Sequence, residues 1–284
     1  MFTLVEPHFD GKNNLTKNIS DELGEKLLIS IKNLGNNMRC HYLFQIVKRN
    51  LAELTFYMQS QQNEMKTIDG IECNRYLFNF VDTFYSYINF YEKNYKELFK
   101  DVKKDIYDTY FEYRFIYNLR NYIIHEDLAI LKISKKFWQD RVNVNFEIDN
   151  NALSGSSCCQ KLFKQELKKC STQMTNLHDI LSNFYTILIR LHIAMLTKIW
   201  QNLRADFLLL MDNIPNKQDV YLLQDGKIKN GLLNVTTKYY KCVSDNFVYA
   251  ENLLQEENVN NFFLDISFLY YKERNVLYIG KPDD

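Results

Sequence analysis

The stretch that decides the fold is VKKDIYDTYFEYRFIYNLRNYIIHE, residues 102–126. Its apolar side chains recur every three or four residues, which is the spacing of the buried face of an amphipathic helix. That face holds Phe115, Ile116, Leu119 and Ile123. Neither Gly nor Pro interrupts the stretch, so nothing in it predicts a break. We therefore predict one long helix over Val102–Glu126.

The same helical periodicity extends to both sides of this stretch. The chain has 8 Gly and 3 Pro among 284 residues, so breakers are few. Four further helices are predicted, over Ile19–Leu34, Met38–Ser60, Asn74–Glu97 and roughly Thr175–Met211. Because long helices dominate, the predicted fold class is mainly α, with an antiparallel helical bundle as its scaffold.

The period changes in two places. The segments LAILKISKKFW and RVNVNFEID alternate apolar and polar residues, which predicts a β-hairpin inserted at about 128–150. After Pro215, the segment VYLLQDGKIKNGLLNV has a D-G turn between strand-like residues. Beyond it, CVSDNFVYAENLLQEE is helix-like and FFLDISFLYYKERNVLYIG resembles a second hairpin. We predict a helical domain at 1–214 and a small C-terminal α+β extension at 215–284.

Charge and hydropathy limit the class of protein. Lys+Arg and Asp+Glu each number 35, so no strong overall field draws the chain to nucleic acid or to an anionic membrane. The N-terminal MFTLVEPHFDGKNN turns polar too soon for a signal peptide. The most apolar span, FYTILIRLHIAMLTKIW, is interrupted by Arg190, His192 and Lys198. The sequence predicts a soluble, cytoplasmic protein with no membrane association.

The six cysteines form neither a C-x-x-C pair nor a disulfide framework. We expect buried or free thiols. The adjacent pair Cys158 and Cys159, within NNALSGSSCCQ, leaves two alternatives open: a structureless loop, or a metal-binding or oxidisable site.

Polar side chains form a stripe on the predicted helix at 102–126. At 100° per residue, Arg114, Asn118, Asn121 and His125 fall within about 60° of one another. They lie opposite the apolar face, so we expect His125 to point away from the core. Asn121 precedes His125 by four residues, which would let its side-chain oxygen hold one ring N–H and fix the tautomer. The ordinary alternative is that these residues are the polar rim of a core helix.

Arg120 lies about 140° round the helix from His125, so one helix cannot easily aim both at one phosphate. Two solutions remain open. Either the helix ends near His125 and the geometry relaxes, or the arginine of one subunit works beside the histidine of another in a two-fold dimer that packs this helix on its own copy.

The spacing of Arg, a polar residue, three more residues and His, here RNYIIH from Arg120 to His125, resembles the signature of the HEPN superfamily. This resemblance covers roughly Asn74 to Met211 and includes the hairpin after the motif. It implies a helical bundle that dimerises and acts as a metal-independent endoribonuclease, in prokaryotic defence or a toxin–antitoxin setting. The position two residues after the histidine is Asp127, where one toxin group carries a tyrosine that is modified by its antitoxin.

The resemblance implies that Arg120 and His125 are catalytic. His125 would move a proton to or from the ribose 2′-hydroxyl or the leaving oxygen, and Arg120 would stabilise the phosphorane. The products would be 2′,3′-cyclic phosphate and 5′-hydroxyl ends. No metal or cofactor is needed for this chemistry. Asn121 would assist His125, and an antitoxin protein is a candidate partner besides RNA. Glu126 and Asp127 leave a metal role as the alternative to a solvated helix end.

Other polar residues are assigned to substrate binding. We expect Arg114 and Asn118 to contact RNA. Lysines could track the RNA backbone from the hairpin and from the segment after it, and solvated surface is their ordinary alternative. They are Lys132, Lys135 and Lys136, then Lys161, Lys164, Lys168 and Lys169.

The aromatic run FNFVDTFYSYINFYEKNY is predicted to be bundle core or, preferably, a dimer interface. Two other functions stay open. One is a non-catalytic HEPN-like module that binds RNA, nucleotide or a partner protein through the same helix. The other is an interaction protein whose C-terminal strands contact a partner, with an exposed hydrophobic sheet as its sign.

Overall fold

The computed structural model describes residues 2–6, 15–62, 68–138, 141–170, 172–213, 220–224, 228–229, 232–233 and 238–242. The described part is mainly helical with antiparallel sheets, as predicted. The helices are α1 (Asp21–Ser60), α2 (Gly70–Asn94), α3 (Lys96–Thr109), α4 (Phe111–His125), α5 (Asn150–Gly155), α6 (Lys161–Lys169) and α7 (Leu177–Asn213). The strands are β1 (Phe2–Glu6), β2 (Leu15–Ile19), β3 (Ile130–Trp138), β4 (Arg141–Asp149), β5 (Met174–Asn176), β6 (Val220–Gln224), β7 (Ile228–Lys229), β8 (Leu232–Leu233) and β9 (Lys238–Cys242).

The long helix predicted over Val102–Glu126 is wrong in one respect, because Tyr110 is extended and separates α3 from α4. In a continuous helix the Tyr107 carbonyl would accept from the N–H four residues on. Here the Arg114 guanidinium donates to that carbonyl instead. A long side chain therefore satisfies the end of α3, and no Gly or Pro is needed to stop the helix.

Helix α1 joins two helices that the sequence predicted as separate. The segment around Gly35 was predicted as a break, but α1 continues through it to Ser60. A glycine in a helix costs only about 1 kcal/mol relative to alanine. Leu34, Asn37 and Cys40 are all buried here, so packing on both sides of the glycine outweighs that cost.

The chain divides into two compact units, each built from two separate stretches of sequence. The first unit comprises residues 1–41 and 196–266. Its sheet has the order β2-β1-β6-β9, and β1 pairs with β6 from Phe2↔Gln224 onward. Strands that precede α1 and strands that follow α7 thus share one sheet. Asp206 of α7 accepts hydrogen bonds from Ser30 and Asn33 of α1 at 2.8 and 2.9 Å.

The C-terminal predictions are tested only in part. The strand expected at VYLLQ is confirmed as β6, which pairs with β1 and β9, while β7 pairs with β8. The D-G turn lies outside the described residues. So do the helix predicted at CVSDNFVYAENLLQEE, apart from its first residue, which ends β9, and the second predicted hairpin.

The second unit comprises residues 42–195 and 267–284. It contains the predicted hairpin, which is confirmed as β3 and β4, and β5 adds a third strand beside β4. Two side-chain amides bond the backbone of the hairpin in the way that a neighbouring strand would, each to the N–H and the carbonyl of one residue. Asn74 bonds both the N–H and the carbonyl of Ile130 at 3.0 Å. Gln62 bonds the carbonyl and the N–H of Val144 at 2.9 and 2.8 Å.

The aromatic run belongs mostly to the core of this unit, which agrees with the bundle-core alternative, while the interface alternative stays a prediction for its exposed member Phe78. Phe80, Phe84, Tyr87 and Tyr91 are fully buried on α2. Aromatic side chains on a helical spacing bury a large area, and they pack edge to face here, as Phe84 does on Phe184 at 5.0 Å. The run therefore supplies the floor on which α4 packs.

Helix α7 carries the apolar span noted in the sequence. Residues Leu177–Ile199 are long and apolar enough to cross a membrane, yet 56% of that window is buried inside the protein. His192 lies fully buried in this segment, with its Nδ1 2.9 Å from the Tyr87 hydroxyl. These are the features of a core helix, and the buried His192 is part of that core.

Candidate functional site

His125 is the last residue of α4, and its side chain is exposed as predicted. The helix ends here because Glu126 leaves the helical conformation, although its N–H still bonds the Tyr122 carbonyl at 2.8 Å. Within the described part of the chain, no hydrogen bond or ion pair holds the imidazole. The ring is therefore open to solvent and to a bound ligand.

Glu126, next to His125, anchors the segment between α5 and α6. Its carboxylate accepts from the Ser156 hydroxyl at 2.7 Å and from the Ser157 N–H at 2.9 Å. These hydrogen bonds, the Ser156 bond above all, hold the pKa of Glu126 below its ordinary value. Glu126 was predicted to be either a solvated residue or a metal ligand. Its carboxylate instead holds the segment between α5 and α6 by hydrogen bonds.

Arg114 and Asn118 do not form an exposed stripe with His125, which corrects the prediction. The Arg114 side chain is buried and bidentate on Glu166, at 2.8 and 2.6 Å. Asn118 is 0% exposed, and its side-chain oxygen accepts from the Gln160 N–H at 2.7 Å. Both amide and guanidinium are thus used inside the protein, and neither is placed to contact RNA.

Arg120 faces α2. Its guanidinium lies 3.7 Å above the Tyr85 ring and 3.8 Å from Asp82 Oδ1. The side chain is 16% exposed, and its Nε has no acceptor among the described residues. A cation on an aromatic face is held mainly by the ring quadrupole, which leaves its hydrogen-bond donors available. Arg120 is held in position with its Nε buried, and its Nη groups, which make only a 3.5 Å contact with Asn121 and a 3.8 Å contact with Asp82, remain as donors for an anion.

Asn121 does not orient His125 as predicted. Its side-chain oxygen receives a long contact from Arg120 Nη1 at 3.5 Å, and no hydrogen bond joins it to the imidazole in the described chain. A bond at that length is weak. Asn121 therefore belongs to the surroundings of Arg120 in this structure.

Arg120 and His125 lie on different sides of α4, as the 140° separation predicts. His125 stands at the free end of the helix, beside the residues that hold the α5–α6 segment, whereas Arg120 lies against α2. One chain does not bring the two side chains to a common point.

Apolar side chains flank Arg120. The contacts of Arg120 with Asp82 and of Tyr117 with Tyr85 show that α2 and α4 run antiparallel. That register places Phe78 level with Ile124, and these side chains are 42% and 37% exposed. The guanidinium therefore borders a small apolar surface, defined by Phe78 and Ile124, that could be covered by another chain.

The hairpin lysines are divided between two faces of β3. Side chains alternate along a strand, so Lys132 and Lys136 share one face and Lys135 takes the other. Lys132 lies 4.0 Å from Glu147, and neither Lys132 nor Lys136 contacts α4 through a hydrogen bond or ion pair in the part described. The three lysines are not gathered into one site with His125.

The cysteine pair lies in the short non-helical connection between α5 and α6, which agrees with the loop alternative, although hydrogen bonds hold this connection in place. Residues Asn150–Gly155 form α5, and the Cys159 thiol donates to the Asn118 carbonyl at 3.7 Å. Burial raises the pKa of the Cys159 thiol, which disfavours the thiolate that a metal ligand requires. The groups of three or more His, Cys, Asp or Glu that could hold a metal are absent from the described residues.

Comparison of the chain with protein-family models, with curated proteins and with solved structures finds no match. Sequence reasoning missed Asp82 and Tyr85, which hold Arg120. Asp82 and Tyr85 are three residues apart on α2, so the sequence does predict that they share one face of the helix. That spacing does not predict which arginine the two side chains contact.

Proposed function

We propose that this chain is a metal-independent endoribonuclease of the HEPN type, with Arg120 and His125 as its catalytic residues. The observation that carries the proposal is the exposed His125 at the end of α4, with Arg120 held on Tyr85 on another side of the same helix. A soluble, cytoplasmic homodimer is proposed with it, acting on RNA in prokaryotic defence or as a toxin controlled by an antitoxin.

The proposed reaction is an intramolecular transesterification. His125 accepts the proton of a ribose 2′-hydroxyl, and the 2′-oxygen attacks the adjacent phosphorus. The bond from phosphorus to the 5′-oxygen breaks, and that oxygen takes a proton from an imidazolium. The products are a 2′,3′-cyclic phosphate and a 5′-hydroxyl end. Arg120 donates to the phosphorane oxygens while their charge is greatest.

A two-fold dimer would solve the geometry. The surface of Phe78 and Ile124 beside Arg120 is apolar and exposed, so a second copy that covers it would also carry its own α4 to the site. The Arg120 of one protomer could then act beside the His125 of its partner. Burial of this surface would leave the Arg120 donors facing the shared cleft.

The first test is cleavage of a defined RNA in EDTA. His125→Ala should slow cutting by about 10²–10⁴-fold, because a general acid–base group is lost. Arg120→Ala should slow it by about 10²–10³-fold. His178→Ala and Arg49→Ala are matched controls, since both residues are exposed and lie on other helices. Equal rates for all four variants would contradict the assignment.

The second test asks whether the two residues come from different protomers. Inactive Arg120→Ala and His125→Ala proteins, mixed and allowed to exchange subunits, form heterodimers with one intact composite site. Random exchange should restore about a quarter of the wild-type rate. If both residues act within one chain, mixing restores nothing.

A second candidate is a non-catalytic module that binds RNA or a partner through the same helix. The partial burial of Arg120 against Tyr85 favours it, because a guanidinium already stacked on a ring would have to turn to reach a phosphate. In that case the wild-type protein binds RNA without cutting it. Arg120→Ala then lowers the affinity for RNA, and the RNA stays intact with His125→Ala just as with the wild type.

A further inference from the structure

Helix α3 borders a cleft of about 530 Å³ that is separate from the surroundings of Arg120 and His125. We name it the α3 cleft. Its lining residues are Glu92, Lys96, Phe99, Lys100, Lys103, Lys104, Tyr107, Asp108 and Gln160. The Lys103 ammonium is paired with Glu92, so these two charges offset each other. Three lysines and Asp108 remain, which leaves the lining with a net charge of +2.

The charges of α3 are sorted onto two sides of the helix. The segment KELFKDVKKDIYDT holds four lysines and four acids, so its net charge is zero. At 100° per residue, the lysines span about 100° of the helix and the acids Glu97, Asp101, Asp105 and Asp108 span the next 80°. This sorting places like charges four residues apart, as in Lys96 and Lys100, which costs the helix about 0.2–0.5 kcal/mol per pair. An opposite charge at those positions would stabilise the helix, so the basic face is a feature that folding does not require.

The floor of the α3 cleft is aromatic. Phe99 lines the cleft and is almost fully buried, and Tyr107 is half-buried with its hydroxyl donating to the Gln160 side chain. Lys96, Lys100 and Lys104 are exposed on the rim, and none of them has an ion-pair partner in the described chain. Three free ammonium groups above an aromatic floor suit a ligand that combines phosphates with a planar base.

We propose that the α3 cleft holds a segment of single-stranded RNA, with Lys96, Lys100 and Lys104 on its phosphates and a base against Tyr107. The choice of RNA rests on the proposed function. Gln160 connects the cleft to α4 through Asn118, which lies seven residues before His125. Those seven residues rise about 10 Å along the helix. A strand seated in the cleft therefore needs only a few nucleotides to reach the end of α4.

The test measures binding of a strand that cannot be cut. A fluorescently labelled 2′-O-methyl oligouridylate lacks the attacking hydroxyl, and its anisotropy reports binding alone. The triple variant Lys96→Ala, Lys100→Ala and Lys104→Ala should bind it at least tenfold more weakly. Lys17→Ala, Arg49→Ala and Lys198→Ala together remove the same charge from exposed sites that do not line the cleft and should change affinity less than twofold. Arginine at the three cleft positions should restore binding.

Salt dependence gives an independent readout. Three phosphate contacts predict that log K falls with log salt with a slope of about −2 for a single strand, and the cleft variant should be nearly flat. Equal weakening by the cleft and control variants would overturn the proposal. So would unlabelled uridine monophosphate that competes as well as the strand, since the ligand would then be a free nucleotide.

The two proposals fail in different ways. His125→Ala should bind the methylated strand like the wild type, because His125 does not line the cleft. If that variant stops cutting while the cleft variant binds normally, the cleft proposal is wrong and the nuclease stands. If the cleft variant loses the strand and no variant or wild type cuts RNA, the cleft binds RNA and the nuclease proposal is wrong.

Discussion

Gly24 and Gly35 lie in the same helix, α1, and we predict that alanine has opposite effects at the two positions. A Cβ at Gly35 meets no atom within 4 Å. A Cβ at Gly24 would lie 2.6 Å from Phe2 Cβ and would overlap the Phe2 ring. Phe2 is buried in β1, so its ring cannot turn into solvent without losing that burial. The Phe2 ring of the sheet therefore packs directly against the backbone of α1 at Gly24.

The magnitudes follow from two opposing terms. Alanine in place of a helical glycine stabilises by up to about 1 kcal/mol. An overpacked core costs about 1–3 kcal/mol, and the close approach at Gly24 places it at the upper end. Gly35→Ala should therefore raise the free energy of unfolding by up to about 1 kcal/mol, whereas Gly24→Ala should lower it by about 2 kcal/mol. Urea denaturation followed by far-UV circular dichroism measures both.

A second background separates the clash from any other effect at Gly24. Phe2→Ala alone should cost about 3–5 kcal/mol, as large-to-small core substitutions do. Once the ring is gone, Gly24→Ala should become stabilising, because only the helix term remains. If Gly24→Ala stabilises the wild-type protein as much as Gly35→Ala, or stays destabilising without the ring, the reasoning is refuted.

Three other perturbations have defined outcomes. Glu166→Ala leaves the buried Arg114 guanidinium without its carboxylate and should lower the free energy of unfolding, measured in urea, by about 3 kcal/mol. A loss under about 1 kcal/mol would show that Arg114 is not buried as described. Burial lowers the pKa of Lys48 to about 8, so above that pH the unfolded state binds more protons than the folded state. The free energy of unfolding should therefore rise by about 2 kcal/mol from pH 7 to 9.5, and Lys48→Met should abolish this rise. Equal pH profiles for the wild type and Lys48→Met would contradict the reasoning. Asn74→Ala removes three hydrogen bonds, two of them to Ile130, and should speed hydrogen exchange at the Ile130 amide by about 100-fold, whereas unchanged exchange would show that the amide holds nothing.

The sequence predicts those parts of the fold that local periodicity controls. The hairpin follows from the alternation around Phe146, and the buried face of α4 follows from the spacing of Phe115, Ile116 and Leu119, all fully buried. The break at Tyr110 could not be predicted in this way. It depends on Arg114 bonding back to the Tyr107 carbonyl, and a side-chain donor leaves no breaker residue in the sequence.

The candidate site shows the same division. The exposure of His125 and its angle from Arg120 follow from helix geometry alone. The burial of Arg114 and Asn118 does not, because it is decided by Glu166 and Gln160, which lie more than forty residues further along the chain and pack against α4. A polar stripe on one helix cannot predict which of its members another segment will cover.

The amide of Gln62 has a consequence for the protein in concentrated solution. A strand whose backbone groups are open is a template on which another chain can add, and such additions lead to aggregates. By bonding both groups of Val144, Gln62 closes that position of β4 with a side chain that cannot itself extend a sheet. Resistance to aggregation through this edge of the sheet thus depends on one glutamine, whose side chain contributes little to the hydrophobic core.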